Sequence, residues 1–144
     1  MTSERGRVNR KEFWGLLGIV AAVIFLWDTP AVYPLQVLVV FFHEMSHGAA
    51  AILTGGSIRE ISVVPEQGGF CVTEGGSRFL ILSAGYLGSL AWGGAILVLS
   101  SRTRHDRLIA GATGALLAVT SLLFVRPFLS FGFLFGTASG AALV

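Results

Sequence analysis

The chain has 144 residues, of which 53% are hydrophobic and only 12% charged, with a formal net charge of +2 and a mean hydropathy of +0.76. A soluble domain of this size carries about twice that charged fraction, so a soluble globular domain is excluded, and the long apolar runs read as a polytopic membrane protein. The basic residues lie between the runs and bear on membrane orientation rather than on nucleic acid, while Cys71, the only cysteine, leaves no intrachain disulfide or cysteine zinc cluster and reads as a small apolar filler.

Residues 1–12 are polar and include Arg5, Arg7, Arg10 and Lys11. The apolar run 13–27 resembles a signal peptide in its basic start and apolar core. Asp28-Thr29-Pro30 stands where a small-residue cleavage site is expected, and the chain then turns hydrophobic again, so the run is read as a retained first span. Fifteen residues reach only about 22 Å as a helix, which predicts that Lys11 and Glu12 snorkel at its end. Trp14 and Trp27 mark its two ends, where interfacial aromatics belong.

Asp28-Thr29-Pro30 predicts a tight turn before a second span over 31–54, and this span carries the chemistry. His43-Glu44-Met45-Ser46-His47 is an H-E-x-x-H sequence. On a helix the two histidines share a face, so both imidazoles can serve one metal ion, and Glu44 can act as general base on water. Zinc suits two neutral imidazoles plus an oxygen ligand, with one position open to water. The alternative is that all three are core polar residues satisfied by neighbours. Ionisable groups are costly at hydrocarbon depth, which favours the functional reading. Gln36, His43, His47 and Thr54 form one polar stripe, expected to face other helices or a water-filled cavity.

The polar segment 55–78 predicts a β-hairpin over 58–73, from Ile58-Arg59-Glu60-Ile61-Ser62-Val63-Val64 and Gly69-Phe70-Cys71-Val72-Thr73, joined through Pro65-Glu66-Gln67-Gly68. Gly55-Gly56 and Gly75-Gly76 bracket it. Glu60, Glu66 and Glu74 read as solvated. Should one of them approach a metal, Glu74 is the best placed by its distance along the chain. A third span follows over 79–99, with Gly85, Ser89 and Gly93 as a small-residue stripe permitting close helix contact. The linker 100–107 is charged, and His105 and Asp106 in it read as solvated.

The fourth span, 108–125, has a stripe of Ala110, Gly114 and Ala118 and is broken by Arg126-Pro127. The last run, 128–144, carries Gly132, Gly136 and Gly140 on one face. It ends on an apolar residue without a polar flank, which reads as a truncated piece of a longer protein. The expected architecture is therefore an all-α polytopic membrane protein. It has about five transmembrane helices and a small β-hairpin between the second and third, in one membrane domain.

With the N-terminus inside, Arg5, Arg7, Arg10, Lys11, Arg59, Arg78 and Arg126 lie inside and Arg102, Arg104 and Arg107 outside. Seven against three predicts this orientation, with the hairpin on the cytoplasmic side.

An HExxH in a transmembrane helix, followed by a glycine-bracketed hairpin and a small-residue-rich span, resembles the site-2 protease-type intramembrane zinc metalloproteases. The nearest likeness is to their short bacterial branch, through HGAAAILTGG and LSAGYLGS, over about residues 37–92. The resemblance implies that His43 and His47 are zinc ligands and Glu44 the base. It also implies hydrolysis of a peptide bond in or near a membrane-embedded segment of a protein or peptide substrate.

Where the wider family has an AGPxxN-type element, Ala84-Gly85 match, but Tyr86 stands for the proline and Ser89 for the asparagine. The family's third ligand is an aspartate in a later LDG- or NPDG-like element, which this sequence lacks. Its only aspartates are Asp28 and Asp106. Residues 1–144 alone are therefore expected to be slow or inactive in hydrolysis. The alternatives are a catalytically inactive membrane scaffold that presents partner helices, and a zinc-binding sensor or carrier.

Overall fold

The computed structural model describes residues 10–103, 105–126 and 130–143. The expectations for Arg5, Arg7, Arg104 and Pro127, and for the side chains of Lys11 and Glu12, fall outside them. The chain divides into two units, Met1–Leu35 and Gln36–Val144.

The first unit holds α1 (Arg10–Phe25) and a turn. Thr29 makes that turn: its hydroxyl donates to the Leu26 carbonyl at 2.6 Å and its N–H to the same oxygen at 2.9 Å. These bonds end α1 two residues before Trp27, the residue expected to close it. They also delay the next helix to Tyr33, with Pro34 in its first turn, where a missing N–H costs nothing.

The helix α2 (Tyr33–Leu53), whose residues from Gln36 on belong to the second unit, ends in a glycine-dependent cap. Gly55 adopts φ +84°, the Gly56 N–H donates to the Ala51 carbonyl at 2.8 Å and the Gly55 N–H to that of Ile52 at 3.1 Å. This pairing satisfies the last carbonyls of the helix and turns the chain back on itself. The hairpin that follows pairs β1 (Ser57–Val64) with β2 (Gly68–Glu74) in antiparallel register, Val64 opposite Gly68 and Ser57 opposite Glu74. A bulge between Ile58 and Glu60 sets Arg59 out of register, and Arg59 forms an exposed ion pair with Glu74 at 2.6 Å.

The hairpin runs back along α2. A methyl on Gly48 would meet the Ile58 side chain and the Cys71 sulfur, and one on Gly69 would meet Glu44. Its tip therefore lies level with the middle of α2, about 15 Å along the helix from Leu53. Protein covers β1 there: Ile61, Ser62 and Val63 are buried. Val125 adds a parallel bridge to the second edge of β1 at Ile61, with the Arg126 N–H donating to the Ile61 carbonyl at 3.1 Å. Among the described residues no strand pairs with the outer edge of β2.

Three further helices complete the unit: α3 (Arg78–Arg102), α4 (Asp106–Phe124) and α5 (Phe131–Leu143). Among the described residues five helices and the hairpin thus occur in the expected order. Of the five, α2, α3 and α4 are long and apolar enough to cross a membrane, while α1 and α5 are shorter. The α3–α4 linker is shorter than expected, because α3 runs on through Ser100 and Ser101 to Arg102. The Thr103 N–H and hydroxyl both bond the Leu99 carbonyl, closing the helix there.

The α5 stripe meets neighbours along its length. Methyls on Gly132, Gly136 and Gly140 would strike Val63 of β1, Ser121 of α4 with Phe41 of α2, and Gly114 with Ala118 of α4. The α3 stripe departs from expectation. Gly93 has no neighbour within 4 Å among the described residues, and the half-buried Ser89 donates its hydroxyl to the Tyr86 carbonyl of its own helix. The contacting face of α3 is instead Ile81, Gly85, Gly88 and Trp92. Steps of 4, 3 and 4 stay on one face of a 3.6-residue helix, whereas a strict four-residue repeat drifts off it.

Candidate metal centre

His43 and His47 are one helical turn apart on α2, and their rings meet edge to face with centroids 4.7 Å apart. His47 Nδ1 lies 2.6 Å from the Ile81 carbonyl on α3. A carbonyl only accepts, so Nδ1 carries the proton, and the Nε2 lone pair is left free. This is the arrangement that orients and strengthens a metal-binding imidazole.

Gly85 supplies the space that the two rings need. A methyl on Gly85 would lie 2.5 Å from His43 Nε2 and 2.6 Å from His47 Nε2. One point in space is therefore close to both nitrogens, and it is kept empty by the lack of a side chain on α3. Zn–N bonds are about 2.0 Å, so this cradle fits a metal ion held by both imidazoles.

Glu44 projects from the next position along α2 and is buried, with 6% of its surface exposed. Its carboxylate rests on β2, where a methyl on Gly69 would lie 2.9 Å from Glu44 Cγ and Oε1. Tyr86 sets its ring edge to face on His43, with centroids 4.7 Å apart, and is otherwise 81% exposed. His43, Glu44 and Tyr86 line a cleft of about 270 Å³ together with Val39, Val40, Gln67 and Gly69.

The rest of the polar stripe on α2 is buried or internally bonded. Gln36 is 5% exposed. The Thr54 hydroxyl donates to the Ala50 carbonyl at 2.6 Å and accepts from the Ser77 N–H at 2.9 Å, joining the end of α2 to the start of α3.

Among the described residues no group of three or more His, Cys, Asp or Glu side chains is placed to hold a metal ion. Glu74 is exposed, as the solvated reading has it, and does not approach the histidine pair. It sits at the open end of the hairpin opposite Ser57, and Arg59 holds its carboxyl below the usual range through a hydrogen bond. Asp106 begins α4, beyond the C-terminal end of α3 and about 25 Å along that helix from Gly85. Cys71 keeps its filler role: burial first, and the Glu44 carboxylate second, push its thiol up to about 11.

The sequence did not single out Ile81, Gly69 or Gln67. Ile81 acts through its backbone, which no side-chain pattern marks. Gly69 and Gln67 enter only because the hairpin folds back along α2.

Residues 16–144 match the family model described as Peptidase M50B-like. No curated protein and no solved structure matches the chain.

Proposed function

The chain belongs to the M50B-like peptidases, of the site-2 protease family, and from that premise we propose that it is an intramembrane zinc metalloprotease. It would hydrolyse a peptide bond in or near a membrane-embedded segment of its substrate. The observation that carries this reading is the cradle at Gly85, where Nε2 of His43 and of His47 converge beside the buried Glu44. His43 and His47 would hold the zinc ion. When bound there, zinc supplies Lewis acidity for water and for the scissile carbonyl.

The chain's own groups do the remainder. Ile81 fixes the His47 tautomer through its carbonyl. Glu44 takes the proton of the attacking water and passes it to the leaving amine. Its burial against β2 holds it in place and limits bulk water around it. A helical peptide bond is shielded by its own turn, so the substrate must be extended to be attacked. The outer edge of β2 offers a place for it by strand addition, running past Glu44.

The arginine and lysine balance supports an inside N-terminus and an inside hairpin. An impermeant thiol reagent added outside should then reach cysteines placed at 101–106 and miss those at 60–76; the reverse pattern overturns this orientation.

The lack of a third His, Cys, Asp or Glu beside the pair, among the described residues, favours one second reading: a zinc-binding sensor or inactive scaffold that retains the HExxH helix. Cleavage separates the two. The native gene product, reconstituted in vesicles with zinc and a membrane-anchored reporter, should cleave it, and Glu44→Gln should slow cleavage by about 10²- to 10⁴-fold. Equal rates for parent and Glu44→Gln refute the protease reading.

A further inference from the structure

The tip of the hairpin holds a residue in an unusual conformation. Gln67 has φ +60°, and it is the only non-glycine residue with positive φ among those described. The three-residue connection between Val64 and Gly68 requires a left-handed residue at this point, a position that glycine fills most easily. Two glycines follow immediately, yet the strained position carries a long carboxamide. Strain of this kind gathers at functional sites, where the surrounding structure enforces it.

Gln67 also faces the chemistry. It lines the same cleft as His43, Glu44 and Tyr86, and it directly precedes Gly68, where β2 and its unpaired outer edge begin. A peptide strand laid along that edge has its backbone groups met by β2 only as far as Gly68. Beyond it, the next peptide unit would enter the cleft with its N–H and C=O unpaired, a costly state at hydrocarbon depth. A carboxamide carries one acceptor and two donors, the complement of a peptide unit.

We propose that Gln67 is a substrate-contacting residue, whose carboxamide continues the β2 edge by hydrogen-bonding one peptide unit of the extended substrate and holding it beside Glu44. The proposal rests on the protease reading and adds a recognition element for the substrate backbone. Because it reads backbone rather than side chains, Gln67 contributes affinity for extended segments of varied sequence.

The test uses the native gene product loaded with zinc. In a Glu44→Gln background, Gln67→Gly should weaken binding of the membrane-anchored reporter peptide by about 3- to 10-fold, the worth of one hydrogen bond. With Glu44 intact, the same change should raise KM by a like factor and leave kcat within about twofold. The thermal midpoint should hold or rise, because glycine relieves the strain. Gln67→Asn keeps a carboxamide and tolerates the left-handed region, so it should recover part of the binding.

Unchanged binding and KM in Gln67→Gly overturn the inference while leaving the protease reading standing. A loss of binding that tracks a fall in thermal midpoint overturns it too, since Gln67 would then only hold the turn. A parent protein that neither cleaves nor binds the reporter removes the protease reading, and this inference with it.

Discussion

Glycine brings backbone close to its neighbours in two regions of this molecule, with opposite consequences. Along α5, Gly140 lies against the Gly114 carbonyl and Ala118 of α4, so the missing side chain is replaced by another helix. On α3, Gly85 lies against the nitrogens of two imidazoles. There the missing side chain leaves room for something that binds nitrogen lone pairs. Both glycines belong to small-residue stripes of the same form in the sequence. The stripe shows that a close approach occurs, and the chemistry of the facing atoms shows what the approach serves.

This contrast can be broken by adding one methyl at each site. Gly85→Ala should weaken zinc binding by about 10- to 100-fold, the range for disturbing groups that set metal ligands in place, with little change in thermal midpoint. Gly140→Ala should keep its zinc and lose about 1–3 kcal/mol of stability through overpacking. Metal titration and thermal unfolding of the two variants decide the matter. The contrast fails if Gly140→Ala loses zinc and Gly85→Ala retains it.

A smaller effect sharpens the site side of the comparison. Thr54→Val removes the hydroxyl that joins α2 to the Ser77 N–H, and should cost about 1 kcal/mol in unfolding measurements. On the seam side, the Ser121 hydroxyl is fully buried, facing Gly136, with no hydrogen-bond partner among the described residues. Ser121→Ala should therefore be neutral or stabilising by up to about 1 kcal/mol. A clear loss of stability would show that the seam depends on that hydroxyl.

The smallest effect concerns Cys71, which lies mid-strand in β2 opposite Ile61. With its thiol pushed up to about 11, it stays protonated at pH 7–8. Thiol alkylation of the folded protein should be slow there and become fast on unfolding. Rapid labelling of folded protein would contradict the burial that raises the thiol.

The order of elements and the HExxH helix were legible because both are written in local pattern: apolar runs of span length, and a four-residue histidine spacing. The glycine pairs were legible as brackets of the hairpin, and Gly55 at φ +84° also caps α2. The direction of the hairpin was not. Val63 and Val64 read equally well as a strand in solvent or against protein, and only the fold sets Gly69 on Glu44. The contact face of α3 was misread for a related reason. A four-residue repeat is conspicuous in sequence, but a 3.6-residue helix turns it away, and Gly93 ends up with no neighbour within 4 Å among the described residues. Glu74 was legible as solvated, but its partner was not: a bulge throws Arg59 out of register and into an ion pair with it.

The account stands on His43 and His47 acting as a pair on one zinc ion, with Gly85 leaving the room. Elemental analysis of the purified native gene product tests this directly, comparing the parent with the double variant His43→Ala/His47→Ala and with Gly85→Ala. The account predicts about one zinc per chain in the parent, near none in the double variant and a strong reduction in Gly85→Ala. Equal zinc in the parent and the double variant, whether high or near zero, would contradict it.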